Sequence, residues 1–254
     1  MLFGYDEKIK SFEKLIKEDK LGQPYLFYGD RGIGKYSFAK LLAYALETGK
    51  FEITPETLLD ALFVVKDEEK NSLGIDKVLE AKRFLWQKPL KSHYRLAIID
   101  NAEDLTPEAQ GALLKVVEEP PTHGLLVFVS HDENVLLPPL LSRLTKIYFP
   151  RFPKSEIVRI LKDERGVGGE KAEQITRQSF GRPGLAFEIL DDLPDKEEEN
   201  LEKILENRIL ELRRANLKKN AEILVWLLDR EMSVKRYNLN MNLQKKAIEE
   251  RINK

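Results

Sequence analysis

The residues with the clearest chemical potential form one run, Gly29-Asp30-Arg31-Gly32-Ile33-Gly34-Lys35-Tyr36-Ser37. It follows the apolar stretch Tyr25-Leu26-Phe27-Tyr28 and precedes an amphipathic stretch from Phe38 to Ala45, so the order predicts strand, glycine-rich turn, helix. Gly29, Gly32 and Gly34 would let backbone N–H groups close around a phosphate, and the helix N-terminus would add partial positive charge. Lys35 would bring a point charge to the terminal phosphates. The hydroxyl that ligates Mg²⁺ in such loops directly follows the lysine, but that position holds Tyr36, and Ser37 comes one residue late. A phenol at the end of a rigid ring cannot stand where a serine Oγ would. The run is built to hold phosphate and poorly built to use it.

A second acid-bearing segment belongs beside it. Arg95-Leu96-Ala97-Ile98-Ile99-Asp100 is a nearly continuous apolar run ending in a carboxylate, as expected for a buried parallel strand. Asp100 is either the carboxylate that organises Mg²⁺ next to a phosphate loop or a plain strand-end cap. Asn101 follows it where hydrolysing sites carry a glutamate, and an amide cannot accept a proton; Glu103 is displaced along the chain. His93, His123 and His131 lack metal-ligand spacing and read as solvated or capping residues. Trp86 and Trp226 read as packing residues on apolar helix faces. Phe84, Lys88, Lys91 and Arg95 read as a basic edge near DNA or as solubilising surface.

The scaffold around these groups is legible in the hydrophobic pattern. Tyr5 to Lys17 predicts an amphipathic helix with Ile9, Phe12, Leu15 and Ile16 on one face. Strands are predicted at 25–28, 61–65, 95–100, 125–130 and 146–149, with a helix over 75–86 between the second and third. Thr106-Pro107-Glu108 predicts a helix start with a capping threonine, proline at the first helical position and an early acid. That helix is stopped near Glu119 by Pro120-Pro121. Alternating strands and helices imply an α/β fold with a doubly wound parallel sheet over residues 1–150. Apolar strands end after Pro150, and short helices are predicted at 155–162, 169–179 and 183–190. A turn-rich break at 191–195 separates residues 151–194, read as a small helical domain, from a helical C-terminal segment at 195–254.

Composition bounds the function classes. In 254 residues, 42 Lys+Arg against 43 Asp+Glu give a net charge of -1, which argues against a dedicated nucleic-acid coat. With no cysteine, disulfides, thiolate zinc sites and cysteine nucleophiles are excluded. The first residues carry no secretory pattern and no apolar run approaches membrane-spanning length, so a cytoplasmic protein without a membrane partner is expected.

Three segments stand out: Ile98-Ile99-Asp100-Asn101-Ala102-Glu103-Asp104-Leu105-Thr106-Pro107-Glu108-Ala109-Gln110, then Ala112-Leu113-Leu114-Lys115-Val116-Val117-Glu118-Glu119-Pro120-Pro121, and Leu137-Pro138-Pro139-Leu140-Leu141-Ser142-Arg143-Leu144. Together they resemble bacterial clamp-loader subunits, the AAA+ proteins of the DNA polymerase III holoenzyme. The resemblance runs from Leu2 to about Leu190 and is nearer the delta-prime type than the ATP-hydrolysing gamma/tau type. It implies a helical lid after the α/β domain and a collar-like tail, shortened here. It assigns Gly29, Gly32, Gly34, Lys35, Tyr36 and Ser37 to a degenerate nucleotide loop for ATP or ADP, and Asp100 to a degraded metal position. Ser130 falls where the family keeps a polar sensor. Arg182, in Phe180-Gly181-Arg182-Pro183-Gly184, lies near the second sensor out of clean register. Arg143 matches the arginine finger that reaches into a neighbouring subunit's ATP site.

The related subunits usually carry a four-cysteine zinc module after the loop helix; here a short Thr48–Pro55 link replaces it, so no zinc is expected. The implied role is a stator that completes a neighbour's ATPase site while the ring of gamma/tau and delta subunits loads a sliding clamp on primed DNA. Two other readings stand beside it: an active clamp-loader ATPase in which Ser37 and Glu103 replace the missing groups, and a small P-loop kinase.

Overall fold

The computed structural model describes residues 4–67 and 72–191, together with 209, 221, 223 and 225–228. The chain divides into two units, Met1–Asp191 and Asp192–Lys254. In the second, the described residues are helical, and Ile209 and Leu227 are buried. Most of the segment 195–254, read above as helical, lies outside the described residues.

The first unit is built on five parallel strands: β1 (Tyr25–Tyr28), β2 (Ala61–Val64), β3 (Arg95–Ile99), β4 (Gly124–Ser130) and β5 (Thr145–Tyr148). Their order across the sheet is β2-β3-β4-β1-β5. Each strand lies within a residue of its expected ends. β3 and β4 are buried along their whole length, as their unbroken apolar runs require of central parallel strands.

Side chains alternate between the two faces of the sheet, and each face has its own core. Phe27, Leu96, Ile98, Leu125 and Val127 point to one side, where they meet Phe12 of α1 (Asp6–Lys17), Phe38 and Leu42 of α2 (Lys35–Thr48), and Ile157, Ile160 and Leu161 of α6 (Lys154–Arg165). Ile175 of α7 (Gly169–Ser179) and Ala186 of α8 (Pro183–Asp191) join the same cluster. Leu26, Ala97, Ile99, Leu126 and Phe128 point to the other side, against Val78 and Leu85 of α3 (Ile75–Leu85), Leu113 and Val117 of α4 (Pro107–Glu118), and Leu140 of a single-turn α5 (Pro138–Leu141). Among the described residues no helix is long and apolar enough to cross a membrane.

The start of α4 follows its local chemistry: the Thr106 hydroxyl accepts the Ala109 N–H at 3.2 Å, and Pro107 occupies the first turn. Two surface readings need correction. Trp86 is 62% exposed at the end of α3, not packed, because the residues that anchor that helix are Val78, Ala81 and Leu85. The basic edge does not exist as read: Arg95 is buried, donates to the carbonyls of Lys88 and Leu59, sits 3.5 Å from Asp60 and lies over the Phe84 ring, while Lys91 pairs with Glu56.

Candidate functional site

Parallel strands leave a crevice at their carboxyl ends, and the candidate groups converge there. The loop of residues 29–34 leaves β1, Asp100 follows β3 and Ser130 closes β4. Gly29, Gly32 and Gly34 have φ of 139°, 75° and 95°, a region side chains rarely adopt. At Gly29 a Cβ would also fall 2.3 Å from the Phe149 carbonyl oxygen, so the turn needs glycine twice over.

Lys35 is 6% exposed, and its Nζ donates to the carbonyls of Gly29 at 2.6 Å and Asp30 at 2.7 Å, curling the loop around the ammonium. Burial lowers its pKa to about 8, against the opposing pull of Glu103, Asp100 and Asp30. Two further loop carbonyls are tied from outside. The Tyr5 hydroxyl donates to Ile33, and the Gly184 N–H at the start of α8 donates to Gly32 at 2.7 Å. Asp30 is paired with Arg151, and Arg182 stands beside Gly32.

The groups that would hold Mg²⁺ do not fit that ion. Tyr36 turns its ring against Phe63 of β2, with centroids 6.2 Å apart, and the Lys40 ammonium lies 4.6 Å above it. Ser37 is exposed on the first turn of α2. Asp100 is a half-buried carboxyl whose pKa is pushed up by burial and by Glu103. Asn101 takes a left-handed φ of 47°, and its amide lies 3.4 Å from Asp100 Oδ2. Asp100 therefore has an amide and an aromatic ring beside it where an octahedral cation would need oxygen ligands.

Sequence reasoning missed one pair at this crevice. His131, immediately after β4, directs Nδ1 at Glu103 Oε1, and Arg31 lies 3.6 Å from the same oxygen. Burial would raise the Glu103 pKa, but the His131 hydrogen bond and charge, with help from Ser130, bring it down to about 2. Glu103 is therefore held as an anion through Oε1, and a carboxylate so stabilised is a weak base. The signal was available in principle, since β4 lies between β3 and β1 and the residue after it must face both Glu103 and the loop.

Arg143 lies elsewhere. Gln110 of α4 accepts the Leu137 N–H at 2.7 Å, and buried Leu140 anchors α5, so the segment carrying Arg143 is held on α4. The guanidinium donates to the Pro139 carbonyl at 2.6 Å and meets Glu118 Oε1 at 2.7 Å. It precedes β5, whose Thr145 pairs with Tyr25 at the start of β1, whereas the loop leaves β1 after Tyr28. Four strand residues rising about 3.3 Å each separate the two ends of the sheet, so Arg143 and the chain's own glycine loop sit at opposite ends.

A model of the family described as DNA polymerase III, delta subunit, matches residues 4–153. The chain belongs to this family. Its curated relatives include the DNA polymerase III subunit gamma/tau of Mycobacterium bovis, 29% identical over 192 residues, covering 68% of this chain and 33% of that protein. The subunit tau of Bacillus subtilis is 26% identical over 168 residues, covering 61% of this chain and 29% of that protein. The chain thus spans about a third of the length of the relatives it matches. Among solved structures, a DNA polymerase III gamma subunit-related protein from Thermotoga maritima has a TM-score of 0.58 at 20% identity, covering 94% of this chain and 96% of that one. A point variant of Thermotoga maritima RuvB has a TM-score of 0.54 at 16% identity, covering 84% of this chain and 76% of that one. The family member therefore has the AAA+ α/β fold expected from the motifs, and the small-kinase reading is left without support.

Proposed function

We propose that this chain is a delta-prime-like stator of a cytoplasmic clamp loader, a subunit that hydrolyses no ATP itself and supplies Arg143 to a neighbouring gamma/tau-type subunit. The observation that carries this reading is the division of labour across the sheet. The crevice at the carboxyl ends has lost its metal hydroxyl to Tyr36 and its base to Asn101, while an intact, exposed guanidinium stands at the other end, beyond reach of its own loop. A planar cation delivered to another chain's γ-phosphate would neutralise charge that develops in the transition state. Other subunits, including a delta type, the sliding clamp and primed DNA would be met through the assembled ring. In this reading residues 1–150 are the nucleotide-binding-like domain, 151–194 the lid and 195–254 a collar-like segment.

The test is the ATPase rate of the ring reconstituted with Arg143→Ala, expected to fall by roughly 10³-fold as for other arginine fingers. An unchanged rate would overturn the finger assignment. One observation favours the alternative of an active ATPase: Glu103 lies at the crevice with Lys35 and Asp100. Phosphate release by the purified chain, abolished by Glu103→Gln, would establish that reading instead.

A further inference from the structure

The sheet ends on one side at β2, and the chemistry of that edge suits a further strand. We infer that the outer edge of β2 is a docking site for an extended segment of a partner protein in which apolar and acidic residues alternate. The inference stands on the strand order and on the side chains flanking β2, and it does not depend on the stator reading.

β2 is the last strand in the order and pairs with β3 alone. Successive residues of a strand direct their backbone groups to opposite neighbours. The Asp60 and Val64 carbonyls accept the N–H groups of Leu96 in β3 and of Asp100 just after it. Ala61 and Phe63 therefore turn their N–H and C=O groups outward, and among the described residues nothing hydrogen-bonds to them there. Edge strands are commonly blunted by charge or proline. Ala61-Leu62-Phe63-Val64 carries neither, and its flanking residues Leu59 and Val65 are 50% and 44% exposed.

The two faces beside this edge differ, and the difference specifies the occupant. Toward α3 lies a groove of about 380 Å³ lined by Leu62, Phe84, Glu80, Arg83 and Gln87. Side chains of an added strand on that face meet Leu62 and Phe84, so apolar residues there lose water-exposed surface. Glu80, the groove's own acid, is already in the field of Lys77. On the α2 face stand Phe63 and Tyr36, with the Lys40 ammonium 5.8 Å and 4.6 Å from their ring centroids. Among the described residues no carboxylate pairs with Lys40. An acidic side chain on that face would supply the missing anion. Because side chains alternate between faces, apolar toward α3 and acidic toward Lys40 becomes alternation along the incoming segment.

The probe is a short synthetic peptide alternating valine and glutamate, titrated into the full chain, with an alternating valine and lysine peptide of the same length as control. The glutamate peptide should slow amide exchange at Ala61 and Phe63 and bind at least about tenfold more tightly than the lysine peptide. Ala61→Pro removes an outward N–H while leaving the ladder to β3 in place, and should weaken binding by more than about tenfold. Lys40→Glu, on the surface of α2, should reverse the preference between the two peptides.

Equal binding of the two peptides would overturn the inference, as would binding that leaves exchange at Ala61 and Phe63 unchanged. Protection of those N–H groups that grows with chain concentration in the absence of peptide would assign the edge to a second copy of this chain and overturn it too.

Discussion

Arg143 Nη2 lies 2.7 Å from Glu118 Oε1, joining the second residue after α5 to the last residue of α4 at the end of the sheet away from the glycine loop. Both side chains are partly exposed, at 39% and 44%, so the pair is worth at most about 1 kcal/mol. It aims the guanidinium without locking it. Glu118→Gln should therefore leave the stability of the chain unchanged within about 0.5 kcal/mol, while, if Arg143 acts as the proposed finger, lowering the ATPase of the reconstituted ring, because the guanidinium must then be ordered on docking. Arg143→Ala should lower it much further. Equal stability and a graded loss of ring turnover are the signature; a stability loss without a turnover effect would assign the pair a purely structural role.

Asp60 predicts a large structural effect remote from the crevice. Its carboxylate accepts the N–H groups of Leu90, Lys91 and Ser92 at 2.6–2.8 Å and faces Arg95, holding the segment that leads into β3. Asp60→Asn puts an amide among those donors and leaves a buried guanidinium uncompensated, at a cost of about 2–4 kcal/mol. Urea denaturation measures it. Burial opposes the charge on Asp60, but the three N–H bonds and Arg95 prevail and lower its pKa in the folded state. Its contribution is thus complete above the unfolded pKa and is lost as the pH falls through the folded one.

Glu103 gives a second acid-side dependence. Its pKa falls from 4.5 in the unfolded chain to about 2 in the folded protein, so the unfolded state binds the proton first. The stabilisation is fully present above pH 4.5 and disappears as the pH drops toward about 2. His131→Ala should raise the Glu103 pKa toward the ordinary glutamate range and shrink that dependence. Carbon-detected titration of the side-chain carboxyl reads it directly; an unmoved titration would mean that His131 does not hold Glu103.

Gly184→Ala tests the seat of α8 on the loop. A Cβ there would fall 2.8 Å from the Gly32 carbonyl oxygen and 3.1 Å from its Cα, and backbone cannot step aside as a flexible side chain can. The substitution should cost about 2 kcal/mol and break the N–H bond to Gly32. Hydrogen exchange at Gly32 and at the first residues of α8 should accelerate; unchanged exchange would mean that α8 does not brace the loop.

The order of elements was readable because it depends on interactions near in sequence. Apolar runs of four to seven residues mark the first four strands, Thr106-Pro107 starts α4, and Gly29, Gly32 and Gly34 turn the chain from β1 into α2. The residue types at Tyr36 and Asn101, on which the reading of a degenerate phosphate loop rests, are likewise properties of the sequence alone. Trp86 was misread because periodicity marks a face as apolar without saying whether another element covers it. It stands 62% exposed.

What tertiary structure alone decided are relationships between residues far apart in the chain. Asp60 and Arg95 share no local signal, yet burial makes them partners. Glu103 and His131, 28 residues apart, meet because β4 pairs with β3 and returns the chain to the same crevice. The separation of Arg143 from the loop follows from β5 lying beside β1 in parallel, so that residues before one strand and after the other fall at opposite ends of the sheet. Sequence by itself determined which groups are present and which are missing, because residue type and local backbone geometry are short-range properties. Only the packing of the sheet decided which of those groups share a site, because strand order is set by burying both faces at once, and no local segment can express that.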